Sequence, residues 1–213
     1  KSGDVLNRAK LEEFAKTLRE HYKSIGRYNA KVDPIVTTLP NNRAEITLQI
    51  DEDDTAKLRS VTFNGNEAIS SSKLQEQMEL QPDSWWKLWG NKFDGSQFDK
   101  DIQAIQDYYQ NNGYAKARVT KTDVQLNEEH TKADVTIDVS EGEKYNLSSA
   151  RIVGNLGGMA DELQPLLGEL HLNDTFSRAD VQNVESLIKD KLGERGYGSA
   201  TVNTVPTFDD ANK

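Results

Sequence analysis

The sequence predicts an α+β fold made of tandem βααββ units, each a three-stranded mixed sheet of strand order 1-3-2 packed on two helices. Three observations predict it. A glycine, an alanine four residues on and a valine six residues on recur as Gly26/Ala30/Val32, Gly113/Ala117/Val119 and Gly196/Ala200/Val202, a period of about 85 residues. Each glycine closes a stretch whose apolar residues fall on one helical face. After the first two glycines come two alternating strands joined by a polar turn.

The helices read as follows. Leu11, Phe14, Leu18 and Tyr22 form the stripe before Gly26. Phe98, Ile102, Ile105 and Tyr109 form it before Gly113, and Val181, Val184, Ile188 and Leu192 before Gly196. The glycine takes the left-handed conformation that ends a helix. Ser96 with Asp99, and Ser177 with Asp180, have the spacing of N-terminal caps. Shorter helices are marked by Leu74 and Met78, and by Leu163, Leu166, Leu167 and Leu170.

The strands follow the same repeat. Val61-Thr62-Phe63-Asn64-Gly65-Asn66 parallels Ala150-Arg151-Ile152-Val153-Gly154-Asn155, each a strand ending in Gly-Asn. The returning strands Ile46–Ile50 and Val135–Val139 alternate with period two, and Asn41-Asn42 and Asn127–Thr131 supply the turns. Two helices in series reverse the chain twice, so the first strand of a unit runs parallel to the last, which then lies between the other two. Residues 1–53 therefore read as the back half of one unit, 54–141 as a complete unit, and 142–213 as a unit lacking its last strand. The connections Asp51–Asp54 and Ser140–Glu143 are too short to let neighbouring units tumble freely.

The second strand of each unit is a sheet edge, and its alternation slips in every copy. Val119 lies on one face and Val124 and Leu126 on the other, which predicts a bulge across Lys121–Asp123, with similar slips at Val32–Ile35 and Val202–Val205. Pro34 and Pro206 sit in the first and third copies, where a missing N–H blocks pairing; the middle copy has no proline there. The stretch from Val119 to Leu126 is the candidate for accepting an added strand. Lys121 and Asp123 are charges that blunt the same edge.

Composition narrows the function classes. Of 213 residues 35% are apolar and 29% charged, which suits several small units better than one large core. A net charge of −9 argues against a nucleic-acid partner, and the absence of cysteine excludes disulfides, thiolate metal sites and cysteine nucleophiles. No stretch approaches the roughly 18 uninterrupted apolar residues of a membrane-spanning helix, and the chain opens Lys1-Ser2-Gly3-Asp4 without the pattern of a signal peptide. His21, His130 and His171 share no motif and no phosphate-cradling loop occurs, so neither a catalytic residue nor a cofactor is expected. Asp51, Asp53 and Thr55 begin like a calcium loop, but Ala56 replaces its glycine and Thr62 its final glutamate, so no metal is expected. Trp85, Trp86 and Trp89 have two readings, a plug closing a small core or a partner-contact patch. Tyr114 and Tyr197, beside the cap glycines, read as core or hairpin packing.

Taken together, Val61–Asn66, Trp85-Trp86 with Gly90, Asp107-Tyr108-Tyr109, Gly113-Tyr114-Ala115, Ser140-Glu141-Gly142 and Gly154-Asn155-Leu156 resemble the POTRA modules of the BamA-type Omp85 family of outer-membrane β-barrel assembly factors. The resemblance runs the whole chain, in the register of the end of a second module, a third, and most of a fourth. It implies a periplasmic scaffold on the outer membrane of a Gram-negative bacterium, a membrane barrel C-terminal to these residues, accessory lipoprotein partners and unfolded outer-membrane protein clients. It also implies that a BamB-like propeller lipoprotein docks on the middle module through Val119, Val124 and Leu126, with Leu74 and Met78 nearby. Other readings are the POTRA region of a related Omp85 exporter or a division-complex protein, and a two-carboxylate hydrolase.

Overall fold

The structure is a computed structural model that describes residues 7–28, 30–41, 43–52, 55–82, 92–156 and 158–210. Trp85, Trp86, Trp89 and Asp53 lie outside the described residues, and the two readings of the tryptophans with them. The contacts of the chain divide into two compact units, residues 1–64, 71–103 and 121–138 in one and residues 65–70, 104–120 and 139–213 in the other.

The first helix, α1 (Arg8–Ser24), starts where the Asn7 side chain accepts the Lys10 N–H at 3.2 Å. It ends at Gly26, whose φ is +84°. Arg27 N–H then bonds Tyr22 O at 2.9 Å and Gly26 N–H bonds Lys23 O at 3.0 Å, the paired bonds of a left-handed helix end. The same closing bond recurs from Tyr114 to Tyr109 O and from Tyr197 to Leu192 O, so the glycine repeat in the sequence is a repeated helix stop.

Strand β1 (Lys31–Leu39) packs against α1 and pairs antiparallel with β2 (Arg43–Asp51) without a break, from Lys31 opposite Asp51 to Leu39 opposite Arg43. The expected slip at Val32–Ile35 is not there. Pro34 sits in register opposite Leu48, and Ile35 is 45% exposed. The hydrophobic pattern slips because one isoleucine faces outward, while the backbone stays regular.

The middle stretch carries β3 (Lys57–Asn64), α2 (Ser71–Gln75), α3 (Gly95–Asn111), β4 (Arg118–Leu126) and β5 (Lys132–Ser140). The sheet order is β3-β5-β4, with β3 and β5 parallel: Val61 faces Val135 and Phe63 faces Ile137. This is the expected 1-3-2 arrangement. β5, at the centre, alternates fully, burying Ala133, Val135, Ile137 and Val139. Asn127 Oδ1 closes the β4–β5 hairpin by accepting the Thr131 and Lys132 N–H groups at 2.8 and 2.7 Å. Helix α3 begins two residues earlier than the spacing of Ser96 and Asp99 suggests. Asp94 is the cap, accepting the Ser96 and Gln97 N–H groups at 2.8 and 3.1 Å, because an ionised carboxylate there outcompetes a hydroxyl two residues on. Ser177 does cap α5 (Arg178–Glu194), accepting the Asp180 N–H at 3.3 Å.

Two carboxylates tie the irregular segments down. Asp101 on α3 is 2% exposed and accepts the Glu79 and Leu80 N–H groups at 2.9 and 3.0 Å. Glu141 accepts three successive N–H groups, from Glu67, Ala68 and Ile69, and the Tyr109 hydroxyl at 2.8 Å. The segment it holds begins at Gly65, φ +78°, where a Cβ would run into the Val139 carbonyl oxygen.

In residues 142–210, α4 (Ala160–Leu163), a 3-10 turn (Gln164–Glu169) and α5 enclose a small core of Met159, Leu163, Leu170, Val184 and Ile188. No strand is found among the described residues of this stretch, although Ala150–Asn155 and Val202–Val205 were expected to be strands. Both would pair with the same returning strand, which lies between them in a 1-3-2 sheet and is not present among the described residues. Without it Val153 and Val205 are 75% and 81% exposed.

Replacing Glu141 with alanine strands three backbone donors and the Tyr109 hydroxyl. We expect a loss of about 2–4 kcal/mol in urea unfolding, against about 1 kcal/mol for Tyr109→Phe. Equal effects of the two changes would contradict this assignment.

Candidate partner-docking edge

In a 1-3-2 sheet the outer strands are β3 and β4. Their edges differ. The β3 edge is interrupted by an irregularity between Leu58 and Ser60, and Lys57 is bridged to Lys92 on an adjoining stretch. β4 runs nine residues with no proline. Edges of this kind are templates for an added strand.

Along β4 the side chains alternate and then change phase. Thr120, Lys121 and Thr122 are exposed, while Asp123, Val124 and Leu126 are half-buried and Gln125 is exposed. The change falls across Lys121–Asp123, where the sequence places a bulge. Gln125 Nε2 donates to Asp123 Oδ2 at 2.9 Å. Val119 is half-buried, and its N–H donates to Gln106 Oε1 of α3 at 3.3 Å. That amide is already engaged, so the accessible part of the edge is Lys121–Leu126. The Gln106 contact has no sequence signal, because a glutamine on a helix face shows nothing of its partner thirteen residues on.

Leu74 and Met78, expected beside the edge, are 0% and 5% exposed. They are core residues of α2 and the turn after it, since a five-residue helix has one face and the small core takes it. Their side chains present no docking surface here.

The sheet beside this edge carries an exposed ion pair. Arg59 Nε donates to Asp134 Oδ1 at 2.8 Å, Arg59 Nη2 to Asp134 Oδ2, and Ser60 Oγ to Asp134 Oδ1 at 2.5 Å. The hydrogen bonds from Arg59, then from Ser60, hold the Asp134 carboxyl below its ordinary range. Elsewhere, burial and the bond to Glu141 push the Tyr109 hydroxyl far above the ordinary tyrosine range.

His21 lies in the last turn of α1, His130 in the β4–β5 turn with a left-handed φ of 54°, and His171 beside an open cavity of about 460 Å³ with Asp174 and Asp180. Among the described residues no group of three or more metal-binding side chains is placed to hold an ion. No described helix is long and apolar enough to cross a membrane.

Comparison with known proteins gives a consistent picture. The sequence model of the POTRA family, described as surface antigen variable number repeat, matches residues 1–53, 56–142 and 145–213. The outer membrane protein assembly factor BamA of Neisseria meningitidis serogroup B is 33% identical over 204 residues, covering 94% of this chain and 25% of that protein. BamA of Buchnera aphidicola is 27% identical over 214 residues, covering 100% of this chain and 34% of that protein. The chain thus spans a quarter to a third of the length of these relatives. A crystal structure of Haemophilus influenzae BamA POTRA3-5 superposes with a TM-score of 0.67 at 75% identity, over 74% of this chain and 62% of that one.

The Asp134 assignment is testable by NMR titration. A carboxyl whose folded pKa is lowered contributes stability above its unfolded pKa and loses it as pH falls through the folded value. We expect a midpoint for Asp134 below the ordinary aspartate range, moved up by Arg59→Ala. A midpoint unaffected by that change would contradict it.

Proposed function

This chain belongs to the POTRA family, and we propose that it is a periplasmic scaffold segment of a BamA-type assembly factor, on the periplasmic face of the outer membrane of a Gram-negative bacterium. In this reading residues 1–53, 54–141 and 142–213 are successive modules, and the barrel that anchors the whole protein lies C-terminal to them. The work is binding, with no covalent step: a BamB-like propeller lipoprotein docks on the middle module, other lipoproteins of the assembly complex dock elsewhere, and unfolded outer-membrane proteins are held in passing.

The observation that carries this reading is the β4 edge. It is an outer strand, it lacks proline, and its accessible stretch Lys121–Leu126 ends in the apolar Val124 and Leu126. An added strand making four backbone bonds at about 1 kcal/mol each gains roughly 4 kcal/mol, close to millimolar affinity. That strength fits transient, sequence-tolerant holding of clients. A dedicated lipoprotein needs side-chain anchors as well, and Val124 and Leu126 are placed to supply them. Val119 supports the start of the strand through its bond to Gln106, and Leu74 and Met78 support the core behind it.

The test compares Val124→Pro and Leu126→Asp with the unchanged chain, each checked for native circular dichroism, in titration against a purified propeller lipoprotein. We expect affinity to fall about tenfold or more, equivalent to about 1.4 kcal/mol. Ile35→Asp on β1 serves as control and leaves binding unchanged. Wild-type affinity in both β4 variants would sink the proposal.

A further inference from the structure

We propose that the cap glycine after each of the first two long helices, Gly26 and Gly113, is the socket of a main-chain joint, built twice to the same pattern, that clamps one repeat to the next. Each copy lies wholly within one of the two compact units. In the first, Ala56 N–H bonds Gly26 O at 3.2 Å, and Phe93 N–H bonds Ala56 O at 2.7 Å. In the second, Tyr145 N–H bonds Gly113 O at 2.9 Å, and Phe176 N–H bonds Tyr145 O at 3.0 Å. The neighbouring residues repeat as well. Lys57 bridges Lys92 and Asn146 bridges Thr175, each pair one step outward from the bonded pair. Phe93 and Phe176 each precede the cap of the following helix, Asp94 and Ser177.

The joint therefore links three pieces: the end of one long helix, the short connection after its hairpin, and the start of the next long helix. All its relay bonds are main chain to main chain, so side-chain identity at Ala56 and Tyr145 is free to differ while the geometry repeats. Side-chain size at the glycines is not free. A Cβ on Gly26 would run into Phe93 O, and one on Gly95, the first residue of α3, into Ser24 O. At Gly113 a Cβ would lie 2.8 Å from Thr175 Cγ2 and 2.9 Å from Lys144 Cγ. The second joint adds side-chain bonds, Ala179 N–H to Asn111 Oδ1 at 2.8 Å and Arg178 to Gln110 Oε1 at 2.6 Å. Gly196 has the same helix-ending conformation, φ +88°, with nothing within 4 Å of its Cβ position. Among the described residues it shows the helix stop without a joint.

Gly95→Ala is the sharpest test. Its φ needs no glycine, and alanine favours a first helical turn, so without the joint the change would be neutral or stabilising. Amide hydrogen exchange is measured at Ala56 and Tyr145 in the 213-residue chain. For Gly95→Ala and Gly26→Ala we expect exchange at Ala56 to rise about tenfold or more, with Tyr145 unaffected. Gly196→Ala, which carries the φ strain alone, leaves both sites unchanged. Unchanged protection of Ala56 in Gly95→Ala, or equal loss at both amides, overturns the proposal. If a variant does not fold, residual dipolar couplings of the unmodified chain decide. One alignment tensor fitting residues 8–51 and 57–82 together supports the joint, and two distinct tensors overturn it.

Discussion

The returning strand at the centre of the sheet is the constraint on which the rest depends. β5 receives β3 on one side, in parallel, and β4 on the other. It is the one strand of the sheet with both ladders to fill, and its inward side chains, Ala133, Val135, Ile137 and Val139, are all buried. The outer strands do not touch each other, so each owes its pairing to this strand. Residues 142–210 show the consequence: a helical core forms from Met159, Leu163, Leu170, Val184 and Ile188, yet Ala150–Asn155 and Val202–Val205 remain irregular. The first hairpin shows the converse. There the returning strand β2 is present, and β1 pairs with it along nine residues.

A sheet of three strands and two helices encloses little apolar volume, and its connections cannot be held by packing alone. Two carboxylates take up that task. Asp101 and Glu141 each bind consecutive backbone N–H groups of a segment with no regular structure, supplying the acceptors that the segment's own backbone does not. Asp101 is nearly fully buried, and both its oxygens accept bonds. These clamps fix the ends of β3 and α3 from within. The outer faces of the sheet are left to polar pairs such as Arg59 with Asp134.

Much of this was legible in the sequence wherever the signal was periodic. The glycine repeat marked three helix stops with one bonding pattern, and the order of the strands followed from counting reversals. Signals that depend on competition were not legible. Asp94 and Ser96 are both acceptable caps by spacing, and only the three-dimensional start of α3 decides between them. The family resemblance alone places Leu74 and Met78 near the docking surface, and a helix of five residues is too short for its own pattern to show which face is buried. The irregular strands of the last stretch have strand-like sequences. No returning strand stands between them among the described residues, and no local pattern reports that. The same limit hid Gln106, whose bond to Val119 shortens the usable edge.

The choice of edge follows from these constraints. β3 and β4 are both outer strands, but β3 is irregular at Leu58–Ser60 and bridged at Lys57. An incoming strand needs a run of unengaged N–H and C=O groups in regular spacing, and each interruption removes about 1 kcal/mol from an interaction worth only a few. On β4 the engaged amide of Val119 and the phase change at Lys121–Asp123 confine that run to the end nearest the hairpin turn. Asn127 holds this turn through two backbone bonds and so sets the last residues of the strand. If a strand adds here as proposed, an edge held this firmly from behind has little ordering entropy left to lose. For so few bonds, that saving separates measurable binding from none.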